Sequence, residues 1–248
     1  MTAKVVGMTN THTTTQLPEC WQALEDVISN GIDRVILFGP PGTGKTYAGM
    51  NFGNVANGAF RITCTEDMTN LNVDGAFLPS SDGKSFKWYE GSALKAWKSG
   101  GRLVVDEIDK AGSDVYATLL NFLDTPDSAS WEHPDTGEIV RPTQGFSAVM
   151  TTNIEDMAEL PEALADRFPV RIRINQPHPN ALRRLSRDLR QVAVQMADAG
   201  SQRISLRTFM AFDSMRKSLG DEKAANIIFA NRAEGILDAI RINSVEPS

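Results

Sequence analysis

The chain has 248 residues, of which 41% are hydrophobic and 23% charged, with a formal net charge of -6. That length suits one large domain, or one α/β domain with a small helical appendage, and it can bury a substantial core. The acidic balance excludes a global basic field for nucleic acid or an anionic membrane, although it leaves room for a local basic loop.

No apolar run reaches membrane-spanning length, and the start Met1-Thr2-Ala3-Lys4 lacks the apolar core of a signal peptide, so a cytoplasmic location is expected. Cys20 and Cys64 have no metal-type spacing and read as reduced structural thiols. His12, His133 and His178 are scattered, so no metal is expected beyond one that accompanies a nucleotide.

In chain order, residues 1–17 read as a flexible, threonine-rich terminus. Residues 18–28 carry Trp21, Leu24, Val27 and Ile28 at helical spacing after Pro18. Residues 34–38 are an apolar strand, and Gly39-Pro40-Pro41-Gly42-Thr43-Gly44-Lys45-Thr46 follows it directly and opens into a helix-compatible stretch. This loop fits G-x-x-x-x-G-K-[ST]. Its glycines allow successive backbone N–H groups to point at phosphate oxygens, and the helix behind it presents a positive dipole end to the same anion. Lys45 is placed to neutralise the β- and γ-phosphates of ATP, and the Thr46 hydroxyl to hold Mg²⁺.

Residues 60–65 read as a second strand. Residues 73–78 and 85–89 then flank Ser80-Ser81-Asp82-Gly83, which predicts a hairpin, and a helix follows over 92–98. Residues 102–105 run apolar into Asp106-Glu107, the pattern of a buried parallel strand whose carboxyl end meets a ligand crevice. There Asp106 suits the Mg²⁺ shell, partly through water, and Glu107 suits the base that deprotonates an attacking water. A helix is expected over 113–123, a second hairpin around Pro134-Asp135-Thr136-Gly137, and a strand over 147–152 that delivers Asn153 to its carboxyl end. A short helix over 161–168 and a last strand over 170–174 complete an alternation that argues for a parallel sheet.

Gln176-Pro177-His178-Pro179 marks the expected boundary between a core over 18–176 and a helical lid over 177–248. Three helical stretches are expected in that lid. Their stripes are Leu182, Leu185, Leu189, Val192 and Met196; then Leu206, Phe209, Met210 and Met215; then Ile227, Ile228, Ile236, Leu237 and Ile240.

Taken together, these motifs resemble the AAA+ ATPases over most of the chain. The resemblance implies an α/β P-loop core with a C-terminal helical lid, a Walker A loop at 39–46 and a Walker B strand ending at Glu107. It also implies a first sensor at Asn153, an arginine finger at Arg167 and a second sensor at Arg207. A pair of hairpins, near 73–89 and 128–146, is similar to the helix-2-insert clade that includes the MoxR ATPases. Residues 64–69 with Asp74-Gly75 and Trp88-Tyr89-Glu90-Gly91 resemble the CbbQ/NirQ/NorQ group. That group implies a hexameric ring, a protein client that is remodelled or activated, and a von Willebrand A-domain adaptor. Asn153 is followed by Ile154-Glu155 where many relatives have proline.

Several alternatives stay open on the residues alone. Arg167 suits either a finger reaching a neighbouring subunit or an ion pair with Asp166 or Glu162 of its own, and Arg207 suits either a sensor or lid packing. Phe86, Trp88 and Trp131 suit either client contact or packing of the hairpins on their own domain. A nucleic-acid motor using Lys84, Lys87, Lys95 and Lys98, or a slow nucleotide-dependent assembly switch, are the other functional classes.

Overall fold

The computed structural model describes residues 17–245, so the flexible terminus expected over 1–17 lies, but for Leu17, outside the described residues. Helix α1 (Glu19–Ser29) buries Trp21 and Leu24 on its inner face. Strand β1 (Arg34–Phe38) leads through the phosphate-type loop into α2 (Lys45–Asn51). Then come β2 (Ala59–Thr63), the hairpin strands β3 (Gly75–Pro79) and β4 (Phe86–Glu90), α3 (Ser92–Ser99) and β5 (Arg102–Asp106). Helix α4 (Ser113–Phe122) precedes the short hairpin β6 (Trp131–Glu132) and β7 (Ile139–Val140). Strand β8 (Ser147–Thr151), α5 (Glu162–Arg167) and β9 (Val170–Arg173) close this half.

The sheet has five parallel strands in the order β2-β5-β8-β1-β9. Apolar residues fill β5 and β8 because helices cover both faces, which is what unbroken runs such as Leu103-Val104-Val105 require. On one face Trp97, Phe122, Leu119 and Phe168 pack against Ile36, Leu103 and Met150; on the other, Trp21, Leu24 and Ala48 pack against Val35, Leu37 and Val149. Arg102 crosses the second face and donates to the carbonyls of Gly49 and Phe52, so it satisfies the carboxyl end of α2 from a buried position.

Because the strands are parallel, the carboxyl ends of β1, β5 and β8 lie side by side, and the phosphate-type loop, Asp106-Glu107 and Asn153 leave the sheet together. Both expected hairpins are present, each as a two-stranded antiparallel pair. Between β2 and the first hairpin, helical structure is limited to a 3-10 turn, Asn70–Asn72. The rings of Trp88 and Trp131 lie 5.7 Å apart, and His133 and Phe77 pack on Trp88 at 5.6 and 5.2 Å. The two tryptophans thus join one hairpin to the other, and Phe86, 68% exposed, is left to solvent. Trp88→Ala is expected to cost about 2 kcal/mol of local stability, less than a fully buried tryptophan because the residue is only half-buried. Faster hydrogen exchange over residues 75–90 with little change across the sheet is the expected signature.

The carboxyl-terminal half differs from expectation. Among the described residues five α-helices are present: α6 (Pro179–Leu182), α7 (Arg187–Ala197), α8 (Leu206–Leu219), α9 (Asp221–Phe229) and α10 (Ala233–Val245). The first expected stretch is two helices, α6 and α7, parted after Leu182, and the third is two, α9 and α10, because Ala230 takes φ 50° and a 3-10 turn separates them. Ile236, Leu237 and Ile240 therefore reach the core with Phe209, Phe212 and Phe229, while Ile227 points outward at 55% exposure. No helix among the described residues is long and apolar enough to cross a membrane.

Candidate functional site

Gly44 caps α2 at φ 110°, a left-handed conformation that glycine alone adopts without strain. The turn folds the Lys45 side chain back, and Nζ donates to the carbonyls of Gly39 at 2.8 Å and Pro40 at 2.9 Å and to Asn153 Oδ1 at 3.0 Å. Burial pushes the Lys45 ammonium down to about 8, a shift that Asp106 opposes.

Asp106 closes β5 from a buried position. Its Oδ1 accepts from Thr46 Oγ1 at 2.8 Å and from Thr151 Oγ1, and its Oδ2 accepts from Arg61. The next residue, Glu107, takes φ 58° and ψ 47°, an uncommon backbone conformation for a residue with a side chain and one that clusters at functional sites. Its Oε1 accepts from Asn153 Nδ2 at 3.2 Å and its Oε2 from Lys110 Nζ at 2.8 Å. Asn153 therefore bridges Lys45 and Glu107, and its orientation follows from chemistry: an ammonium only donates, so the amide oxygen must face it.

Lys45, Thr46, Arg61, Asp106, Glu107, Thr151 and Asn153 line one cleft of about 600 Å³, and Gly39, Pro40 and Lys110 stand behind it. Pro41 to Thr46, Asp106, Glu107 and Asn153 form one wall, and the opposite wall comes from the carboxyl-terminal helices with Ala181, Arg184, Leu206, Arg207 and Met210. Gly42 meets this second wall: a Cβ placed there would stand 2.8 Å from Ser205 Cβ, so a side chain would push the two halves apart. Ser205 caps α8, its Oγ accepting from the Thr208 N–H at 3.2 Å, and so sets Arg207 in the first turn. Of the predicted residues, Pro41 to Thr46, Asp106, Glu107, Asn153 and Arg207 line the cleft.

Arg167 lies outside the cleft. Its Nη2 pairs with Asp124 Oδ2 at 3.2 Å and its Nη1 donates to the Ala163 carbonyl, while Nε is buried without a hydrogen-bond partner. The alternative, an ion pair within its own subunit, takes the form of a pair with Asp124 rather than with Asp166 or Glu162.

Four groups escaped the sequence reading. Arg61 reaches Asp106 from the edge strand, and Arg184 enters the cleft from the turn after α6. His178, Trp21 and Phe52 form a cluster at 5.0 to 5.6 Å on the cleft wall. His178 Nδ1 accepts from the Asn180 N–H, and burial lowers the affinity of the ring for a proton. Glu155, which stands near the expected proline position, pairs with Arg173 and with Arg203, each at 3.0 Å, and Arg173 also holds Asp198. That network ties the segment after Asn153 to the carboxyl-terminal helices. Proximity in space was the missing signal for all four, since none stands in a fixed spacing to the loop.

Cys20 and Cys64 are free thiols, and burial pushes the Cys64 thiol up to about 12, as an inert core residue requires. Among the described residues no cluster of three or more histidine, cysteine or acidic side chains is poised to hold a metal.

Midasin of Giardia intestinalis is 31% identical over 91 residues, which are 36% of this chain and 2% of that protein, so the chain spans only a small fraction of that relative. Two solved structures show a looser likeness at 16% identity. One is a candidate ATPase from Cytophaga hutchinsonii, with a TM-score of 0.45 over 90% of this chain and 66% of that one. The other is NtrX from Brucella abortus in complex with ATP, with a TM-score of 0.48 over 100% and 55%. Residues 34–168, more than half of the chain and including every cleft residue of the sheet half from Arg61 to Asn153, match the AAA domain of the dynein-related subfamily, and the chain belongs to that family of ATPases.

Proposed function

We propose that the cleft binds ATP with Mg²⁺ and hydrolyses it, and that the chain works as a ring-forming, MoxR-type motor that remodels a protein client. The observation that carries this reading is the Lys45–Asn153–Glu107 chain, which couples a phosphate-neutralising cation to a carboxylate suited to act as base. In this reading Gly39 to Thr46 cradle the phosphates, and Lys45 neutralises the β- and γ-oxygens. Glu107 takes the proton of a water that attacks the γ-phosphorus, and Asn153 orients that water. The bond to the β,γ-bridging oxygen breaks, and ADP leaves with the charge. Arg207 and the trans-acting Arg167 of a neighbouring copy stabilise the equatorial oxygens.

The donor set fits a magnesium ion. A hydroxyl and a carboxylate, Thr46 Oγ1 and Asp106 Oδ1, stand 2.8 Å apart on the cleft wall, and one or two such oxygens plus phosphates and water are what this ion takes. Bound there by Thr46 and Asp106, it would withdraw charge from the phosphate oxygens.

Client contact fits the first hairpin, where Phe77 and Phe86 on one face and Tyr89 on the other are exposed. Of the four lysines considered for nucleic acid, Lys98 is engaged with Glu90. A von Willebrand A-domain adaptor remains part of the proposal through the CbbQ-like segment alone.

The depressed Lys45 makes a pH prediction. A bound polyanion raises the Lys45 value above its free-state value of about 8, so binding takes up a proton where the free group is neutral. The contribution of Lys45 to affinity is then complete below about 8 and fades as pH rises through the bound-state value. Calorimetry at about pH 8.5 in two buffers of different ionisation enthalpy should show uptake of most of a proton, and at about pH 6.5 none from this group. Buffer-independent heats at the higher pH would mean that Lys45 does not meet phosphate.

The whole reading is tested by light scattering of Glu107→Gln. Growth to a ring-sized particle on adding ATP and Mg²⁺ is expected, and a monomer under both conditions would remove the ring and the trans role of Arg167.

A further inference from the structure

Arg61 is the one charged group on Asp106 for which the proposed hydrolysis has no use. It stands on β2, the edge strand, where Thr63 rather than Arg61 is the cross-strand partner of Asp106. The arginine therefore runs along the edge by two residues, about 7 Å, to reach the carboxylate. Its side chain is 45% exposed and lines the cleft, while that of Asp106 is 6% exposed. The carboxylate is otherwise held by two hydroxyls, Thr46 on Oδ1 and Thr151 on Oδ1, which compensate no charge. Lys45 spends its donors on two carbonyls and Asn153. Lys45 attracts Asp106 without touching it, and Arg61 is the cation in direct contact with this buried anion, on the oxygen beside the one that faces Thr46.

We propose that Arg61 stands in for the divalent metal at Asp106 and so makes metal binding at this carboxylate conditional on a phosphate chain in the cleft. The inference rests on the ATP and Mg²⁺ site proposed above. A dication approaching Asp106 in an empty cleft must displace the guanidinium, which among the described residues has no other ion-pair partner. That displacement costs the guanidinium its only compensating charge. With phosphates present the same guanidinium gains a new anion, and its planar fork matches phosphate oxygens. The exposed position on an edge strand leaves the side chain free to swing between the two. Metal and nucleotide then enter together, and the empty protein is not held by metal alone.

The test is a titration of nucleotide-free protein with Mn²⁺, read by the electron paramagnetic resonance of free Mn²⁺. Arg61→Ala is expected to bind Mn²⁺ at least about tenfold more tightly than the wild type, the size that loss of one direct charge competitor produces. Arg61→Lys, which keeps the cation, should return to the weak wild-type binding. Equal Mn²⁺ affinity in wild type and Arg61→Ala would overturn the proposal. Should Arg61→Ala lose its cooperative melt, Arg61→Gln is read in the same titration with the same two outcomes. Asp106→Asn titrated with Mn²⁺ and ATP separates this idea from the site itself. If Asp106→Asn keeps wild-type affinity, the metal site is misplaced and both readings fall; if it loses affinity while Arg61→Ala matches wild type, only the role of Arg61 falls.

Discussion

Glu107→Gln is expected to hold ATP as well as the wild type does and to lose hydrolysis by roughly a hundredfold to ten-thousandfold, the range that a positioned general base contributes. The substitution preserves shape and leaves Oε1 in place to accept from Asn153, so the Lys45–Asn153 contact stays intact. What it removes is the basic oxygen that takes the proton of water. It also ends the charge pairing with Lys110, but both partners are partly exposed, so the stability effect stays small. The separation of binding from turnover is the diagnostic: fluorescent-nucleotide titration for the first, phosphate release for the second. Turnover within a few-fold of wild type would show that Glu107 is not the base, and its left-handed backbone would then need another explanation.

Arg167→Ala is expected to lower turnover by about a thousandfold or more, as arginine fingers do where a neighbour supplies them, with nucleotide affinity retained. Arg167 lies outside the cleft of its own chain, and one of its nitrogens is buried without a partner. Its own subunit thus makes incomplete use of the guanidinium. Breaking the Asp124 pair is a modest loss, because both side chains are partly exposed, at 24% and 32%. Mixing experiments decide the assignment. Rings that combine Arg167→Ala with Glu107→Gln subunits place an intact arginine next to an intact base at some interfaces, and activity should reappear there. Absence of rescue at every ratio, with both variants folded, would make Arg167 a strut between α5 and the segment after α4.

Much of the core could be read from residue order alone, for reasons visible in particular segments. Val35-Ile36-Leu37 and Leu103-Val104-Val105 are unbroken apolar runs because a parallel strand covered on both faces tolerates nothing else. The loop from Gly39 to Thr46 is local in sequence, since a phosphate cradle is built from consecutive backbone groups, and fixed spacing encodes it. Asp106, Glu107 and Asn153 could be placed because each ends a strand whose direction the alternation of elements already implies. The three-helix reading of the carboxyl-terminal region failed twice, between α6 and α7 and at Ala230, where no glycine or proline marks the positive-φ residue that splits α9 from α10.

Residue order and local pattern determined the parallel α/β core, the phosphate-type loop and the acidic strand end, because each is written in contiguous residues with a fixed period. Tertiary structure alone decided that Arg61 neutralises Asp106, that Asn153 joins Lys45 to Glu107, and that Glu155 ties the sheet to the lid. It also decided that Trp88 and Trp131 hold the two hairpins together rather than facing outward. These contacts join residues 43 to 108 positions apart. Pairings at that separation leave no period in the sequence; they exist only once the sheet order has brought the strand ends and hairpins together.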